Sequence, residues 1–497
     1  MSLAQHNHEM EQTATMADAS SRSRSEASSD EVTHDKKAVG GADAEDVTTD
    51  YEKQKPAVVD TQDLPEAEKF HKLSWIRLTS VLIVEAIALG SLSMPASFAT
   101  LGVVPALLIT VGIGAIAYMC SINIGKTWLK YPHLTSYPLA GELLFVHIFG
   151  ERARKFGYWF TTTAWLLLLI FTTGSHSLTG KLAFNSLTDN AICQVGFSGI
   201  SSIILFLLAL PKTFNEMGFL GYIDFASILA AIGITIIASG VDGSHRPGGL
   251  DAVEWYAVVP AQHKPTFAEA FLAVTNIVFA FAFAQCQFSF MSELRHPKEF
   301  KKSIGLLIFL EIFIYVLTGS LIYVFAGQNV ESPALLGLTP TMAKVAFGVA
   351  LPVIFISGSI NSTTAGRFIY DRMYKGTRHE FMSTLRGNVA WVTLILVITI
   401  IAFIIAELIP VFSALLGLIA SVLIVSFSFG FPSLFWLCLL REGSWRKDFH
   451  NIFWTVVNVL VFLMALLILG AGVYASAIDI KTQNDAGEVG APFSCAA

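Results

Sequence analysis

A long apolar segment with a carboxylate and a proline inside it limits what this chain can fold into. Residues 75–100 read WIRLTSVLIVEAIALGSLSMPASFAT, with Glu85 near the middle and the run GSLSMP at 90–95. A charge at mid-depth in a bilayer is costly and proline removes a backbone donor, so a continuous lipid-facing helix is disfavoured. The segment predicts a broken helix facing a cavity, where freed N–H and C=O groups hold a small ligand. The alternative is a proline-kinked structural helix whose Glu85 pairs with a neighbour.

The composition places the chain in the membrane. Hydrophobic residues make up 54% of it and charged residues 14%, against about a quarter charged in soluble proteins. Several apolar runs reach about twenty residues, the length that a helix needs to cross the hydrocarbon, whereas barrel strands alternate over about ten. The sequence therefore predicts an all-α integral membrane protein. The net charge of −6 gives no indication of a nucleic acid partner.

The apolar runs predict about eleven transmembrane helices, with an interfacial helix between the second and third. Their approximate bounds are 75–100, 103–125, 156–184, 196–210, 219–241, 267–291, 304–326, 341–369, 388–405, 411–437 and 453–474. Residues 71–475 would thus form the transporter domain, between an N-terminal tail and a short extracellular tail at 476–497.

The N-terminal tail, residues 1–70, is rich in Ser, Asp, Glu and Thr and poor in aromatic residues. Such a composition buries too little apolar surface to offset the entropy of ordering, so we expect a disordered cytosolic tail. Its Ser run and its lysines are candidate sites for a kinase and a ubiquitin ligase, or the tail is a plain solvated linker. It has no signal-peptide pattern, so we expect the first span to act as an internal signal.

Lysine and arginine indicate the orientation. They are concentrated in the connections on the N-terminal side of the membrane, such as 126–155 and 367–386. The positive-inside rule then places the N-terminus in the cytosol and, with an odd number of spans, the C-terminus outside. The N-x-S/T match at Asn361 lies within a span, so glycosylation is not expected there.

The sequence gives no indication of an enzyme. It lacks the HExxH, GxSxG and Walker patterns and any histidine cluster, and its five cysteines show neither CxxC nor metal-ligand spacing. We expect no cofactor and no metal, and we expect the cysteines in helices to be small buried hydrophobes. Polar groups are instead concentrated in spans one, six and eight, at Glu85, at Asn276 and Gln285, and along 357–364. Spans one and six open two successive groups of five, which favours an inverted-repeat transporter with its site at mid-membrane.

Two segments carry a family resemblance. The run from Glu85 through LGSLSMP at 89–95 to Leu101 and Gly102, together with FAFAFAQCQFSFMSELRHP in span six, resembles the amino acid/auxin permease family, and most of all its fungal neutral amino-acid permeases. The resemblance covers about residues 70–475. It implies a LeuT-like fold of five plus five inverted helices with one extra helix, and amino-acid uptake coupled to protons or sodium. Many members carry Gly where this chain has Ala88, which affects the shape of the break.

The resemblance and the polar pattern together give a set of candidate site residues. The substrate carboxylate is expected at backbone N–H groups of the span-one break, at Ala88, Gly90, Ser91, Leu92 and Ser93. Span six is expected to offer carbonyls to the ammonium and to line the side-chain pocket with Phe281, Phe283 and Gln285. Some of these aromatic residues would instead pack or face lipid. Coupling is expected at Glu85, with Ser359, Asn361 and Thr363 as hydrogen-bond partners, or Glu85 only braces the break.

The function expected from these residues is the import of neutral amino acids with a proton across the plasma membrane. Sodium coupling stays open, because the same carbonyls and hydroxyls suit a sodium ion. Two other functions also stay open: a transporter-like amino-acid sensor that signals through the tail, and an exporter in the vacuolar membrane.

Overall fold

The computed structural model describes residues 74–212, 214–377, 379, 384–486 and 492–495, with only the backbone for Leu89 and for 214–219. Within these residues the regular structure is entirely helical and no strand occurs. The all-α fold is therefore confirmed. The predicted tail at 1–70, with its candidate modification sites, lies outside the described residues.

Eleven apolar helices or helix pairs, named span one to span eleven, follow in order in the described chain. They are Trp75–Ala86 with Leu89–Leu101, Val103–Lys130, Arg154–Thr188, Gln194–Leu208, Phe214–Ser244, Phe267–Ala280 with Gln287–Ser292, Phe300–Ala326, Pro340–Tyr374, Leu385–Leu408, Phe412–Leu440 and Phe449–Asp485. Nine are long and apolar enough to cross a membrane, and span one makes ten if its two helices count together. Span four has 15 residues, or about 22 Å at 1.5 Å per residue, so it is short for a hydrocarbon core of about 30 Å.

Spans one and six are both interrupted. The two helices of span one meet at 53°, and the break lies at Ile87 and Ala88, directly after Glu85. Pro95 lies inside the second helix, so the break is closer to the carboxyl than to the proline. Span six leaves the α-helix after Ala280 and resumes it at Gln287. The break in span six forms without a central Gly or Pro, in a stretch of small, polar and aromatic residues.

The spans pack in pairs that lie five apart in the sequence. Span one contacts span six, two contacts seven, three contacts eight and four contacts nine. Such pairing is what a two-fold relation between two five-helix groups produces, because each helix near the axis meets its own counterpart. The packing agrees with the expected inverted repeat, in which span eleven is the extra helix.

The described chain has two faces, named here by where span one begins. The N-terminal face carries Trp75 and the interfacial helix Tyr137–Phe149. The opposite face carries the connection after span five, whose Tyr256 and Ala257 carbonyls accept hydrogen bonds from the backbone N–H groups of Val103 (3.0 Å) and Val104 (2.9 Å). Those bonds satisfy N–H groups that the start of a helix leaves free.

Two further links hold the opposite face together. Cys193, between spans three and four, forms a disulfide with Cys495. The bond holds the described C-terminal residues against the connection between these two spans. Lys181 and Glu407 form a buried ion pair of 3.1 Å between spans three and nine. Cys120 and Cys286, which lie within spans two and six, are buried free thiols as expected. The disulfide joins the two cysteines that lie outside helices, a pairing that spacing alone did not predict.

Span eight carries a proline in its interior without losing continuity. Pro352 has no N–H to donate to the preceding turn. Ser227 of span five enters this region, donating its hydroxyl to the carbonyl of Val349 (2.6 Å) and accepting from the N–H of Val353 (3.3 Å). Spans five and eight are therefore joined through the backbone of span eight.

Candidate functional site

The carboxyl of Glu85 joins three spans. Its side chain is 9% exposed, and it accepts hydrogen bonds from Nε2 of Gln285 in span six (2.8 Å) and Nδ2 of Asn361 in span eight (3.3 Å). Gln285 is itself fixed, because Nε2 also donates to the Ala282 carbonyl (2.8 Å). The structure thus brings together three residues that the sequence predicted at the site, and none of them faces lipid.

Tyr315 of span seven lies between the two breaks. Its hydroxyl is 2.8 Å from the carbonyl oxygen of Ala86 and 2.7 Å from that of Ala280, the last residues of the two first half-helices. Both carbonyls lose their helical partners at the breaks, and the buried hydroxyl lies within hydrogen-bond distance of both, with one hydrogen to donate. Tyr315 was not predicted from the sequence. Its hydroxyl, a polar group inside a long apolar span, could have indicated that it needs a partner there.

Gly90 is the point of closest approach between spans one and six. A Cβ atom placed on Gly90 would lie 2.5 Å from the Cα atom of Ala280, a contact that real Cβ atoms do not make. Glycine is therefore required here by the neighbouring backbone. The second helix of span one starts one residue earlier, at Leu89, so its first N–H groups lack partners within the helix.

The side chains of Ser91 and Ser93 bond to their own segment. Ser91 donates to the Ala88 carbonyl (2.8 Å) and Ser93 donates to the Gly90 carbonyl (2.9 Å). They stabilise the turn that opens the second helix and leave the backbone N–H groups as its donors. Leu92 is buried in the same turn.

Several buried acceptors around Glu85 have no donor. The side-chain oxygens of Gln285 and Asn361 form no hydrogen bond, and the side-chain oxygen of Asn276, earlier in span six, also lacks a partner. Buried polar atoms are rarely left unpaired, so each marks a place where a bound group can donate. Among the described residues, no three His, Cys, Asp or Glu side chains come together as around a metal ion.

Other predicted residues lie apart from this group. Ser359 donates to the Ile356 carbonyl of its own helix (2.7 Å), and Thr363 donates to the Ala209 carbonyl at the end of span four (3.2 Å). Ser357 reaches span one instead: its hydroxyl donates to the backbone carbonyl of Val84, which precedes Glu85 in the chain. In a helix, residues 357 and 361 share a face and 359 lies on the other side, which the run of polar residues concealed.

The two aromatic residues of span six are both buried. Phe281 packs edge-on against Tyr315, with ring centroids 5.3 Å apart, and Phe283 is 1% exposed. Neither faces lipid, so the lipid-facing alternative is wrong for both. Phe281 also approaches span two, where a Cβ on Gly114 would lie 3.1 Å from its ring.

A polar vestibule leads from the N-terminal face towards this site. It has a volume of about 370 Å³ and reaches Trp165, whose indole N–H donates to the Gln285 carbonyl (2.8 Å). At its wall, Arg367 of span eight pairs with Glu293 after span six at 3.1 Å. The vestibule thus ends at Trp165, which bonds to Gln285, and Glu85 is not among its lining residues.

The opposite face carries a second pocket, of about 560 Å³, beside Ala99 and Thr100 of span one, with Tyr256 in its lining. Tyr256 donates its N–H to the hydroxyl of Tyr323 in span seven (2.9 Å). A hydrogen bond from its own hydroxyl to Glu254 raises the pKa of Tyr256 to about 12. The connection after span five is therefore tied to spans two and seven, and it covers the second helix of span one.

Comparisons with known proteins agree with a solute site. A family model described as "Transmembrane amino acid transporter protein" matches residues 71–478. The "N amino acid transport system protein" of Neurospora crassa is 46% identical over 438 residues, 87% of this chain and 91% of the relative. A "Transmembrane transporter" of Fusarium pseudograminearum is 24% identical over 441 residues, 88% of this chain and 89% of the relative.

One solved structure is also similar to the chain. It is Mhp1, a nucleobase-cation-symport-1 family transporter in a closed conformation with bromovinylhydantoin bound, with a TM-score of 0.49 and 14% identity, covering 86% of this chain and 95% of that one.

Proposed function

The chain belongs to the transmembrane amino acid transporter family, which confirms the resemblance seen in spans one and six, and we propose that it carries neutral amino acids into the cytosol together with a proton. One observation carries the proposal: backbone N–H groups at the start of a helix and side-chain oxygens without donors lie beside one buried carboxyl. A zwitterion has a carboxylate and an ammonium a few ångströms apart, and the two breaks offer a partner to each.

The substrate carboxylate binds the first N–H groups of the second helix in span one. These donors lie at a helix N-terminus, where the backbone dipole favours negative charge. Gly90 lets span six lie close to these donors, because no Cβ separates the two backbones. The ammonium group donates to the unpaired oxygens of Gln285 and Asn361.

Glu85 carries the proton. A carboxyl removed from water favours its neutral form, whereas the two amide donors favour its charged form, so both forms have support at this site and the group can bind and release a proton. Because Gln285 lies in the break of span six and bonds to Glu85, a change of charge at Glu85 alters the acceptor that the ammonium group uses.

The preference for uncharged side chains follows from the lining. Phe281, Phe283 and Leu92 supply apolar surface, and the buried cation Lys181 is already paired with Glu407. A substrate with an anionic side chain therefore meets no unpaired buried cation in the described part of the site, and its desolvation is not compensated.

The N-terminal face is cytosolic in this proposal, and the membrane is the plasma membrane. Lys and Arg cluster on that face, as the positive-inside rule requires. The disulfide between Cys193 and Cys495 lies on the opposite face, and such bonds persist in oxidising compartments. Both observations support an extracellular C-terminus.

Uptake by the purified full chain in proteoliposomes tests the function. An inward proton gradient should drive accumulation of radiolabelled L-leucine, a protonophore should abolish it, and L-lysine and L-glutamate should compete poorly. A sodium gradient at equal pH on both sides should drive no accumulation. Sodium-driven uptake without a pH gradient would contradict proton coupling, and binding without any accumulation would indicate a sensor.

A further inference from the structure

A second carboxyl, Asp224 of span five, is buried without a hydrogen bond. Its side chain is 0% exposed, and neither of its carboxyl oxygens has a partner. An isolated ionised carboxylate in such surroundings is strongly disfavoured, so the group has to take up a proton or interact with a neighbour. The function proposed above leaves Asp224 without a role.

The neighbours of Asp224 along span five fix its position. One turn earlier, a Cβ on Gly221 would lie 3.1 Å from a methyl group of Val84 in span one. One turn later, the hydroxyl of Ser227 bonds to Val349 of span eight. Asp224 shares this face of the helix, so it lies where span five meets both span one and span eight.

Ser357 lies between Asp224 and Glu85. Its hydroxyl donates to the Val84 carbonyl, directly before Glu85 in the chain. Its backbone N–H lies near Asp224 but belongs to the interior of the span-eight helix, where it is used within the helix. Val84, which directly precedes Glu85, thus contacts Ser357 of span eight and lies against Gly221, one turn from Asp224, so the two carboxyls share one buried region.

The other titratable groups around span five do not compensate Asp224. On span seven, Glu311 acts on Tyr315 of the same helix. On span three, His176 is held by the Ile354 carbonyl of span eight at 2.7 Å. The stretch 353–361 of span eight contains no charged residue. Glu85 is therefore the ionisable neighbour that matters to Asp224 in the described structure.

Two carboxyls that share one buried region do not ionise independently. The first charge disfavours the second, and the protons then belong to the pair rather than to either residue. We propose that Asp224 is the second member of an acid pair with Glu85, and that the pair holds one proton when the transporter is ready to bind substrate. The proton arrives as an O–H bond on one carboxyl and leaves to the opposite solution. This inference rests on the proposed function of Glu85.

The test compares Asp224→Asn and Asp224→Glu with the parent chain in proteoliposomes. Uptake of L-leucine is measured against external pH, and exchange of L-leucine is measured without a gradient. Removing the like charge in Asp224→Asn should move the pH of half-maximal uptake downward by about one unit, while exchange persists. Asp224→Glu should return the midpoint towards that of the parent.

Glu311→Gln is the matched control, since Glu311 is also a buried carboxyl without a hydrogen bond. It should leave the midpoint unchanged. An unchanged midpoint in Asp224→Asn, or an equal displacement in Glu311→Gln, overturns the acid pair. Failure of the parent to exchange L-leucine at all would instead overturn the proposed function.

A second measurement covers the case in which Asp224→Asn does not reach the membrane. Infrared spectra of the purified parent and of Glu85→Gln report protonated carboxyls as a function of pH. In an acid pair, a carboxyl that stays protonated to higher pH in the parent should lose its proton at lower pH in Glu85→Gln. If the spectra of the parent and of Glu85→Gln differ only by the loss of one band that does not change with pH, Asp224 titrates independently of Glu85 and the acid pair is overturned.

Discussion

The side-chain amide of Gln285 donates a hydrogen bond of 2.8 Å to the carboxyl of Glu85, although the two residues are 200 positions apart in the chain. The bond connects the break of span six to the end of the first helix in span one. A hydrogen bond to a charged acceptor is about twice as strong as one between neutral groups. The protonation of Glu85 therefore changes how firmly the two breaks are joined.

Glu85→Gln should separate exchange from accumulation. Glutamine keeps the shape and one acceptor of the side chain but cannot release a proton, so the variant should exchange L-leucine and fail to concentrate it under a pH gradient. Proteoliposome uptake and counterflow measure the two properties. Glu331→Gln, at an exposed carboxyl in the connection after span seven, is the control and should behave as the parent. Accumulation by Glu85→Gln at the parental level would exclude Glu85 as the coupling group.

Tyr315→Phe should weaken the junction of the two breaks. The change leaves the Ala86 and Ala280 carbonyls buried without their donor, at a cost of about 1–3 kcal/mol for an unsatisfied group. We expect a lower unfolding temperature in detergent and slower uptake. Tyr370→Phe, which removes a hydroxyl bonded to His379 near the end of span eight, should change the uptake much less. Unaltered stability and uptake in Tyr315→Phe would contradict the role of the hydroxyl.

Gly90→Ala should impair the protein through one methyl group. The new Cβ would meet the backbone of Ala280, and overpacking of this kind costs about 1–3 kcal/mol. Uptake should fall steeply, and Gly90→Val should abolish it in protein that still reaches the membrane. The control is Gly112→Ala in span two, where a Cβ meets no atom within 4 Å. Helix propensity makes that change neutral or slightly stabilising. Equal uptake in the two alanine variants would refute the close approach.

The ion pair between Lys181 and Glu407 should behave as a buried unit. Side-chain exposures are 6% and 3%, and removing one partner of a buried pair costs about 3–5 kcal/mol because the other charge stays buried. Lys181→Met and Glu407→Leu should each lower thermal stability strongly, and the double variant should recover much of the loss. The exposed pair of Lys344 and Asp189 is the control, and Lys344→Met should have little effect. Additive losses in the double variant would contradict a coupled pair.

The disulfide should be reachable from outside the cell. A membrane-impermeant maleimide should not label Cys193 or Cys495 in intact cells until a reductant is added, and Cys193→Ser should expose Cys495 to labelling without reduction. The buried thiols Cys120 and Cys286 should stay unlabelled under these conditions. Labelling of Cys495 only after the cells are permeabilised would place the opposite face in another compartment.

The local sequence predicted those features that depend on nearest neighbours. A carboxylate, a glycine and a proline within one apolar run indicated a break in span one, whereas span six has no central Gly or Pro and gave no comparable signal for its break. What could not be predicted are contacts between distant spans. Tyr315, Asp224 and Ser357 are ordinary in their own segments, and each becomes informative only because folding places it against Ala86, Glu85 or Val84.

Ser359 and Thr363 show the same limit, because both were expected as partners of Glu85 and neither bonds to it. A run of six polar residues at 357–364, interrupted by Gly358 and Ile360, does not say which of them face Glu85. The rotation from one residue to the next along the helix decides which residues face Glu85. Ser357 and Asn361 point towards span one, whereas Thr363 bonds to the end of span four.

The hydroxyl of Tyr315 has a single hydrogen, yet two carbonyl oxygens lie within 3 Å of it. It therefore serves Ala86 and Ala280 by sharing or by alternation, and neither carbonyl holds a full bond of its own. A separation of spans one and six would therefore remove one of the two contacts and leave the hydrogen with the other carbonyl, so the breaks would part without the loss of two hydrogen bonds.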